Sequence, residues 1–437
     1  MSELMVAAIS LGCSKNRVDT ELILGAIENA KMTDNVQEAD VIIVNTCGFI
    51  EAAKSESIET ILEMAELKKE DAALIVCGCL TERYKGELEQ ELPEVDAFMG
   101  IHAYNDIGEA IRSALAKKRY SSYTENEEAD FLTRKVTTPP HMAYVRIADG
   151  CDNFCSYCAI PYIRGGFRSR TMEDILAETE MLVRNGAEEI IFVAQDTTRY
   201  GEDLYGTAKL APLMKKAAEI PGLRWLRVLY CYPESITQEL IDTIAGTENI
   251  VNYIDMPIQH TSDPILSEMN RRAFAYTEKA IDMIRKTGKE FVIRTTVMTG
   301  FPGETEEDFE KLKKDVQEIG FDRLGVFAYS AEDGTPAAEM KNQIDEEIKQ
   351  ARADEIMQIQ SRISERKGQE TIGRRYTAVV EAKVDGGYEA RTEYQVPDVD
   401  GILYIKTDRE LMIGSFVQVD IVDADEYDLY GELYENS

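Results

Sequence analysis

Residues 142–162 read MAYVRIADGCDNFCSYCAIPY. A short apolar run, MAYVRIA, leads into three cysteines, Cys151, Cys155 and Cys158, spaced CxxxCxxC. The run reads as a strand and the cysteines as the loop at its carboxyl end. The same pattern continues to about residue 330. EEIIFVAQD, LRWLRVLYCYP, VNYIDMPIQ, FVIRTTVMTG and RLGVFAYS are further strand candidates, separated by helical stretches such as TMEDILAETEMLVRNGA. Strands that alternate with helices run parallel. Six βα units predict a partial (βα)6 barrel with its chemistry at the strand carboxyl ends. The CxxxCxxC loop then lies over the barrel mouth.

Two kinds of centre compete for that loop. Zinc sites draw four ligands from Cys and His pairs. The chain has three histidines, His102, His141 and His260, and none is near the loop. Three thiolates on one tight loop suit three irons of a cubane cluster and leave the fourth iron open. Compartment supports a metal role over disulfides. The N-terminus MSELMVAAISLG has no basic region before its apolar run, and no apolar stretch reaches the roughly 18 residues that span a bilayer. A cytoplasmic protein is expected, where thiols stay reduced and eight cysteines read as ligands or catalytic groups.

Working outward, the first 115 or so residues also alternate. MVAAISLG, ADVIIVNTCG and AALIVCGCL read as strands, and VDTELILGAIENA and KSESIETILEMAELKK as amphipathic helices. A parallel α/β domain is predicted. Cys13, Cys47 and Cys79 end its three strands, and such ends collect functional groups, so the three can converge. Residues 116–141 are polar, without period, and close on Pro-Pro, which reads as a linker. Residues 335–368 are charged and helical. From 371 the pattern becomes short strands around GG and DG turns, a small antiparallel β-barrel of OB type. The expected division is 1–117, a linker at 118–141, 142–368 and 371–437.

The chain carries 48 basic and 81 acidic residues, a net charge of −33. The last segment holds six basic against fifteen acidic residues, a net of −9. Such a surface repels phosphate backbones and makes free nucleic acid a poor partner. Simple solubility explains the charge as well, and a basic macromolecular partner is the sharper reading.

CxxxCxxC with Tyr157 before its last cysteine, after the first strand of a βα barrel, resembles the radical SAM superfamily. The order of three domains, with GCSKNRVD (Cys13), NTCGFI (Cys47), GCL (Cys79) and GCDNFCSYC, resembles the methylthiotransferases over essentially the whole chain. That resemblance implies two [4Fe–4S] clusters, one held by Cys13, Cys47 and Cys79 and one by Cys151, Cys155 and Cys158. It implies S-adenosylmethionine (SAM) in two roles, methyl donor and radical source, and a terminal TRAM domain that recognises the substrate. ISLGCSKNRVDTE, NTCGFIEAAKSES, YCYPESIT, PIQHTSDPIL and GFPGETEEDF are similar to the branch that methylthiolates the β-carbon of one aspartate in ribosomal protein S-twelve. The tRNA-modifying branch is the alternative. It expects a basic TRAM face, and tRNA is therefore not the expected partner. A non-catalytic RNA-binding metalloprotein would not need two three-cysteine sets. An electron donor such as flavodoxin or ferredoxin is implied.

Finer expectations follow. Gln195 and Asp196, at the end of the second barrel strand, are candidates for the cofactor's amino group. Gly300 and Gly303, around Pro302, let backbone approach the adenosine. Arg164, Arg168 and Arg170 face the cofactor carboxylate, the substrate aspartate, or local acids. Cys77 shares a strand face with Cys79 if IVCGC is a strand throughout. The GCL motif favours Cys79, and Cys77 reads as a small buried hydrophobe. Cys231, Trp225 and His260 read as packing.

Overall fold

The computed structural model describes residues 3–124 and 129–434. The N-terminal domain is a six-stranded parallel sheet. Its strands lie in the order Ala30–Met32, Leu4–Ser10, Val41–Thr46, Ala73–Gly78, Ala97–Met99, Tyr120–Ser122. VIIVNT and ALIVCG are buried throughout, as strands covered by helices on both faces must be. The order reverses between the first strand and Val41–Thr46, and ligands of open α/β sheets bind in the crevice at that switch. The last strand falls inside the stretch read as linker. Its backbone pairs with Ala97–Met99, and Gly100 N–H donates to Ser122 C=O at 2.8 Å. Within that linker, residues 125–128 lie outside the described residues.

Six further parallel strands form the central domain: Met142–Arg146, Glu189–Val193, Trp225–Val228, Tyr253–Asp255, Val292–Thr299 and Arg323–Ala328. They pair in two groups of three, joined where Leu226 bridges Ile250 and Val251 N–H donates to Leu226 C=O at 3.0 Å. Alternation sets the two faces. Ala143, Val145, Ile190, Phe192 and Leu226 pack with helix residues such as Ile175 and Leu213. Tyr144, Ile191, Val193 and Tyr253 join a second core that includes Val18 and Leu22 of the N-terminal domain and Val396 of the last domain. The inner face of the open barrel is thus closed by its two neighbours.

The helix Ser14–Gly25 is central to that closure. Its sequence reads as amphipathic, yet it buries Lys15, Asn16, Asp19, Thr20 and Glu21 along with its apolar residues. A helix with a domain on each side has no solvated face, so its charges must find partners. They find them far away in sequence. Asp19 pairs with Arg146 and, at 2.6 Å, with Arg164. Glu21 and Glu178 flank the fully buried Arg134 side chain at 3.4 and 3.1 Å. Arg134 thus anchors its part of the stretch read as linker in the seam.

The C-terminal helix Glu346–Gln369 leads into a closed barrel ordered Arg375–Val384, Gly387–Thr392, Leu403–Lys406, Leu429–Leu433, Phe416–Ala424. The barrel is antiparallel except that Leu403–Lys406 runs parallel to Leu429–Leu433. A closed ring of five strands cannot alternate direction throughout. YEARTEYQV does not continue as one strand. It stops at Thr392, where the Gln395 side-chain oxygen accepts from Thr392 N–H at 2.9 Å, and the loop that follows enters the barrel seam. There Tyr253 Oη donates to Asp400 at 2.7 Å, and Arg391 and Arg227 share the buried Glu189. Trp225 packs edge-on to Phe416, 4.7 Å between centroids. Among the described residues no helix is long and apolar enough to cross a membrane.

Candidate active site at the domain seam

Cys13 caps the helix Ser14–Gly25, Cys47 follows Val41–Thr46, and Cys79 opens the helix Cys79–Glu91. All three lie at strand carboxyl ends beside the switch point, and the structure brings them together. A Cβ at Gly12 would stand 3.0 Å from Cys47 Sγ, and Gly12 adopts φ +85°. The Asn16 carboxamide reaches two of the sulfurs: its Oδ1 is 4.0 Å from Cys13 Sγ and 3.5 Å from Cys79 Sγ. Its Nδ2 is fixed by Leu11 and Thr46 carbonyls at 3.0 and 3.1 Å. Cys77 is elsewhere. The strand ends at Gly78 (φ +102°), so Cys77 and Cys79 do not share a strand face. Cys77 points into the core with Sγ 3.7 Å from Val44 C=O, as a small hydrophobe does.

Burial pushes the Cys79 thiol up to about 12, with neighbouring Arg164 opposing the shift. Burial raises Cys47 too. Cys13 is exposed to solvent yet surrounded by protein. Burial pushes its thiol up, but Lys15, Arg164 and the backbone N–H groups of Asn16 and Lys15 outweigh that and leave it lowered. Helix N-termini favour the thiolate, and two of the three cysteines occupy them.

The second set forms on the loop after Met142–Arg146. Cys151 N–H donates to Gly165 C=O at 3.1 Å, and Cys158 N–H to Cys155 C=O at 2.9 Å. Tyr232 Oη lies 4.0 Å from Cys155 Sγ. Burial raises Cys151 to about 11 and Cys158 further, and the Cys155 sulfur adds to both. Among the described residues no three His, Cys, Asp or Glu side chains close on one point as a mononuclear site requires. Each thiolate of a cubane holds its own iron, so that spacing is not needed. Burial makes Cys47, Cys79, Cys151 and Cys158 costly to ionise alone, which fits a polynuclear iron–sulfur cation that displaces the protons.

Asp196 adjoins the second set. Asn153, within the cysteine loop, donates to its Oδ2 at 3.0 Å, and burial raises its carboxyl. Among the described residues Gln195 keeps both side-chain polar atoms buried without a hydrogen-bond partner. At Gly300 (φ +71°) the space of a side chain is filled by Lys349 of the C-terminal helix, which explains a glycine there by packing. Gly303 (φ +87°) lines an open cavity of about 570 Å³ with Ser267, Asp308 and Asn342.

The arginines are spent internally. Arg164 is buried between Asp19 at 2.6 Å, Asp149 at 3.1 Å and Asn16 Oδ1 at 3.0 Å, with Nη2 3.7 Å from Cys79 Sγ. Arg170 pairs with Glu178 and stacks 3.4 Å from the Phe131 ring centroid. Arg168 reaches His102 Nε2 at 3.2 Å. His260 is fully buried, its Nδ1 accepting from Ser262 N–H at 2.9 Å. Cys231 is buried in the main core.

Sequence reading missed Lys15, Asn16, Asp19 and the pair Tyr230 and Tyr232. Lys15 Nζ lies 3.3 Å from the Tyr230 ring centroid, so the segment Tyr230-Cys231-Tyr232 touches both cysteine regions. Lys15, Asn16 and Asp19 stand inside the quoted GCSKNRVD stretch and Tyr230 and Tyr232 inside YCYPESIT, so the motifs held them without showing their roles.

Three family models match the chain: the uncharacterized protein family UPF0004 over residues 5–100, the radical SAM superfamily over 145–316 and the TRAM domain over 372–433. A radical SAM methyltransferase, TsrM from Kitasatospora setae, is similar in fold, with a TM-score of 0.56 at 13% identity over 88% of this chain and 79% of its own. These define a radical SAM chain with an added α/β domain and a TRAM barrel. The ribosomal protein uS12 methylthiotransferase RimO of Clostridioides difficile (strain 630) is 47% identical over 99% of both chains. That of Clostridium kluyveri is 46% identical over the full length of both. The chain belongs to the RimO family.

Proposed function

We propose that this chain methylthiolates the β-carbon of an aspartate in ribosomal protein uS12. Cys13, Cys47 and Cys79 would hold one [4Fe–4S] cluster, and Cys151, Cys155 and Cys158 a second that also binds SAM. When bound, these groups supply a 5′-deoxyadenosyl radical at the second set and the methylthio group at the first. The rest falls to the chain's own residues. Gln195 and Asp196 hold polar groups of SAM beside the cysteine loop. Asn16 orients two sulfurs of the first set, and Arg164 ties that set to Asp149 ahead of Cys151. No general base is required, because hydrogen-atom abstraction moves no separate proton. The acidic β-barrel suits a basic ribosomal protein. An electron carrier such as flavodoxin or ferredoxin would approach Phe154 and Tyr162, exposed on the loop side and 6.3 Å apart edge-to-face.

The observation that carries this reading is the meeting of two three-cysteine sets across one seam, joined by Tyr230 and Tyr232. The test is anaerobic reconstitution with iron and sulfide, followed by reaction with SAM, reductant and purified uS12, read by intact mass. Gain of one methylthio group in place of hydrogen is expected. Zinc instead of iron, or preferential modification of tRNA offered in the same mixture, would sink it.

A further inference from the structure

Lys15 lies two residues after Cys13, in the first turn of the helix Ser14–Gly25, and only 8% of its surface is exposed. Among the described residues it forms no salt bridge with a carboxylate; it lies over the Tyr230 ring, within electrostatic reach of the Cys13 sulfur. The buried cations nearby are matched. Arg164 has Asp19 and Asp149, Arg146 has Asp19, and Lys54 has Glu332. Arg17, one turn away, faces Asp398 at 4.0 Å. A lysine is almost never buried unless paired, since desolvating an ammonium is repaid only by an anion. The aromatic face and the Cys13 sulfur two residues back offset part of that cost, and among the described residues no carboxylate completes the pairing.

Its position says which anion belongs there. Tyr230 and Tyr232 are two apart at a strand end, with Cys231 turned into the core between them. Tyr232 reaches Cys155 and Tyr230 carries Lys15. The ammonium therefore stands beside the first set, on the segment whose other end reaches the second. Tyr230 itself is held at φ +62°, a strained conformation for a non-glycine residue, with its N–H donating to Asp255 at 2.9 Å.

We propose that Lys15 receives the carboxylate of the substrate aspartate and so makes the site specific for an acidic side chain. This rests on the function proposed above. The reacting β-carbon is bonded to the carboxylate carbon, and the carboxylate keeps its charge while the neighbouring carbon loses hydrogen and gains sulfur. A charge-assisted contact to it fixes that carbon between the sets throughout.

The test uses anaerobic holoenzyme and two forms of uS12, one with the target aspartate and one with asparagine in its place. Wild-type enzyme should bind the aspartate form more tightly by about tenfold or more, as for a buried charge pair. Lys15→Met should bring the two dissociation constants within about twofold, keep its iron and its substrate-free SAM cleavage, and lose methylthio transfer. Lys15→Arg, which keeps the charge, should retain most of the preference and the full iron content. A preference unchanged in Lys15→Met overturns the proposal, and so does a wild-type enzyme that binds both forms alike. Loss of the first set's iron in Lys15→Met, with Lys15→Arg intact in iron but without preference, assigns the ammonium to the Cys13 thiolate and also overturns it. A wild-type enzyme that leaves uS12 unmodified fails the proposed function instead, which separates the two.

Discussion

Glu393→Gln should stabilise the seating of the β-barrel domain, and only above mildly acidic pH. Glu393 lies on the loop that enters the barrel seam. Its backbone carbonyl accepts from Arg227 at 2.9 Å, but among the described residues its buried carboxylate Oε2 has no hydrogen-bond partner. Burial raises its carboxyl from 4.5 to about 7, Arg227 offsetting only part of the shift. The folded state therefore binds the proton more tightly than the unfolded one. Between the two values the native form carries more protons, so raising pH costs stability across that window, and the loss is complete above about 7. At about 1.4 kcal/mol per unit the limit is about 3 kcal/mol, and partial hydration brings the expected gain from glutamine to about 1–2 kcal/mol. The chain's single tryptophan, Trp225, stands edge-on to Phe416 at this interface and reports undocking by its fluorescence. Urea titrations at pH 5, 6, 7 and 8 should give curves for the two proteins that nearly coincide at pH 5 and separate progressively towards pH 8. A difference that stays constant over that range would refute the reasoning, because a fixed gain is packing and not ionisation.

Cys79→Ala should lose the first cluster, about four irons, and Cys77→Ala should keep its full iron content, since Cys77 faces the core beneath Val44. Asp400→Lys and Asp408→Lys should behave differently in salt titrations of uS12 binding. Asp400 accepts from Tyr253 Oη at 2.7 Å and Val396 N–H at 2.8 Å, so its reversal should undock the domain at every salt concentration. Asp408 is exposed, so its reversal should slow association at low ionic strength only, and equal effects of the two would contradict the docking geometry.

Much of this was legible because it is local. CxxxCxxC is complete within eight residues, and strand ends marked by Gly-Cys and Thr-Cys place Cys13, Cys47 and Cys79 on one sheet edge. Alternation of strand and helix carried the two α/β domains for the same reason. One local rule misled. AALIVCGCL reads as one strand, while the positive φ of Gly78 turns the chain between Cys77 and Cys79. The acids of the last segment look alike in sequence, although the Asp400 side chain is 2% exposed and that of Asp398 70%.

What stayed hidden is the seam, and the reason is physical. Hydrophobic periodicity counts apolar faces, and a helix buried on both sides by charged residues carries the same pattern as one with a solvated face. Only the partners tell them apart, and here they are remote: Arg146 and Arg164 for Asp19, Arg134 for Glu21, Arg83 and Lys54 for Glu332. In a chain of net charge −33, the few cations that are buried do a different job from the many acids that are solvated. Arg164 and Gly165 show what that job is. The Arg164 side chain reaches Cys79 Sγ at 3.7 Å, and the Gly165 carbonyl accepts from Cys151 N–H at 3.1 Å. Two adjacent residues thus touch both cysteine sets. Chemistry that begins at one set and ends at the other depends on their separation, and a misplacement of an ångström costs orders of magnitude in rate. Apolar surfaces can slide past each other at little cost, whereas breaking a buried ion pair leaves a stranded charge. The seam is therefore held by charges where its spacing matters most, and by apolar packing around them.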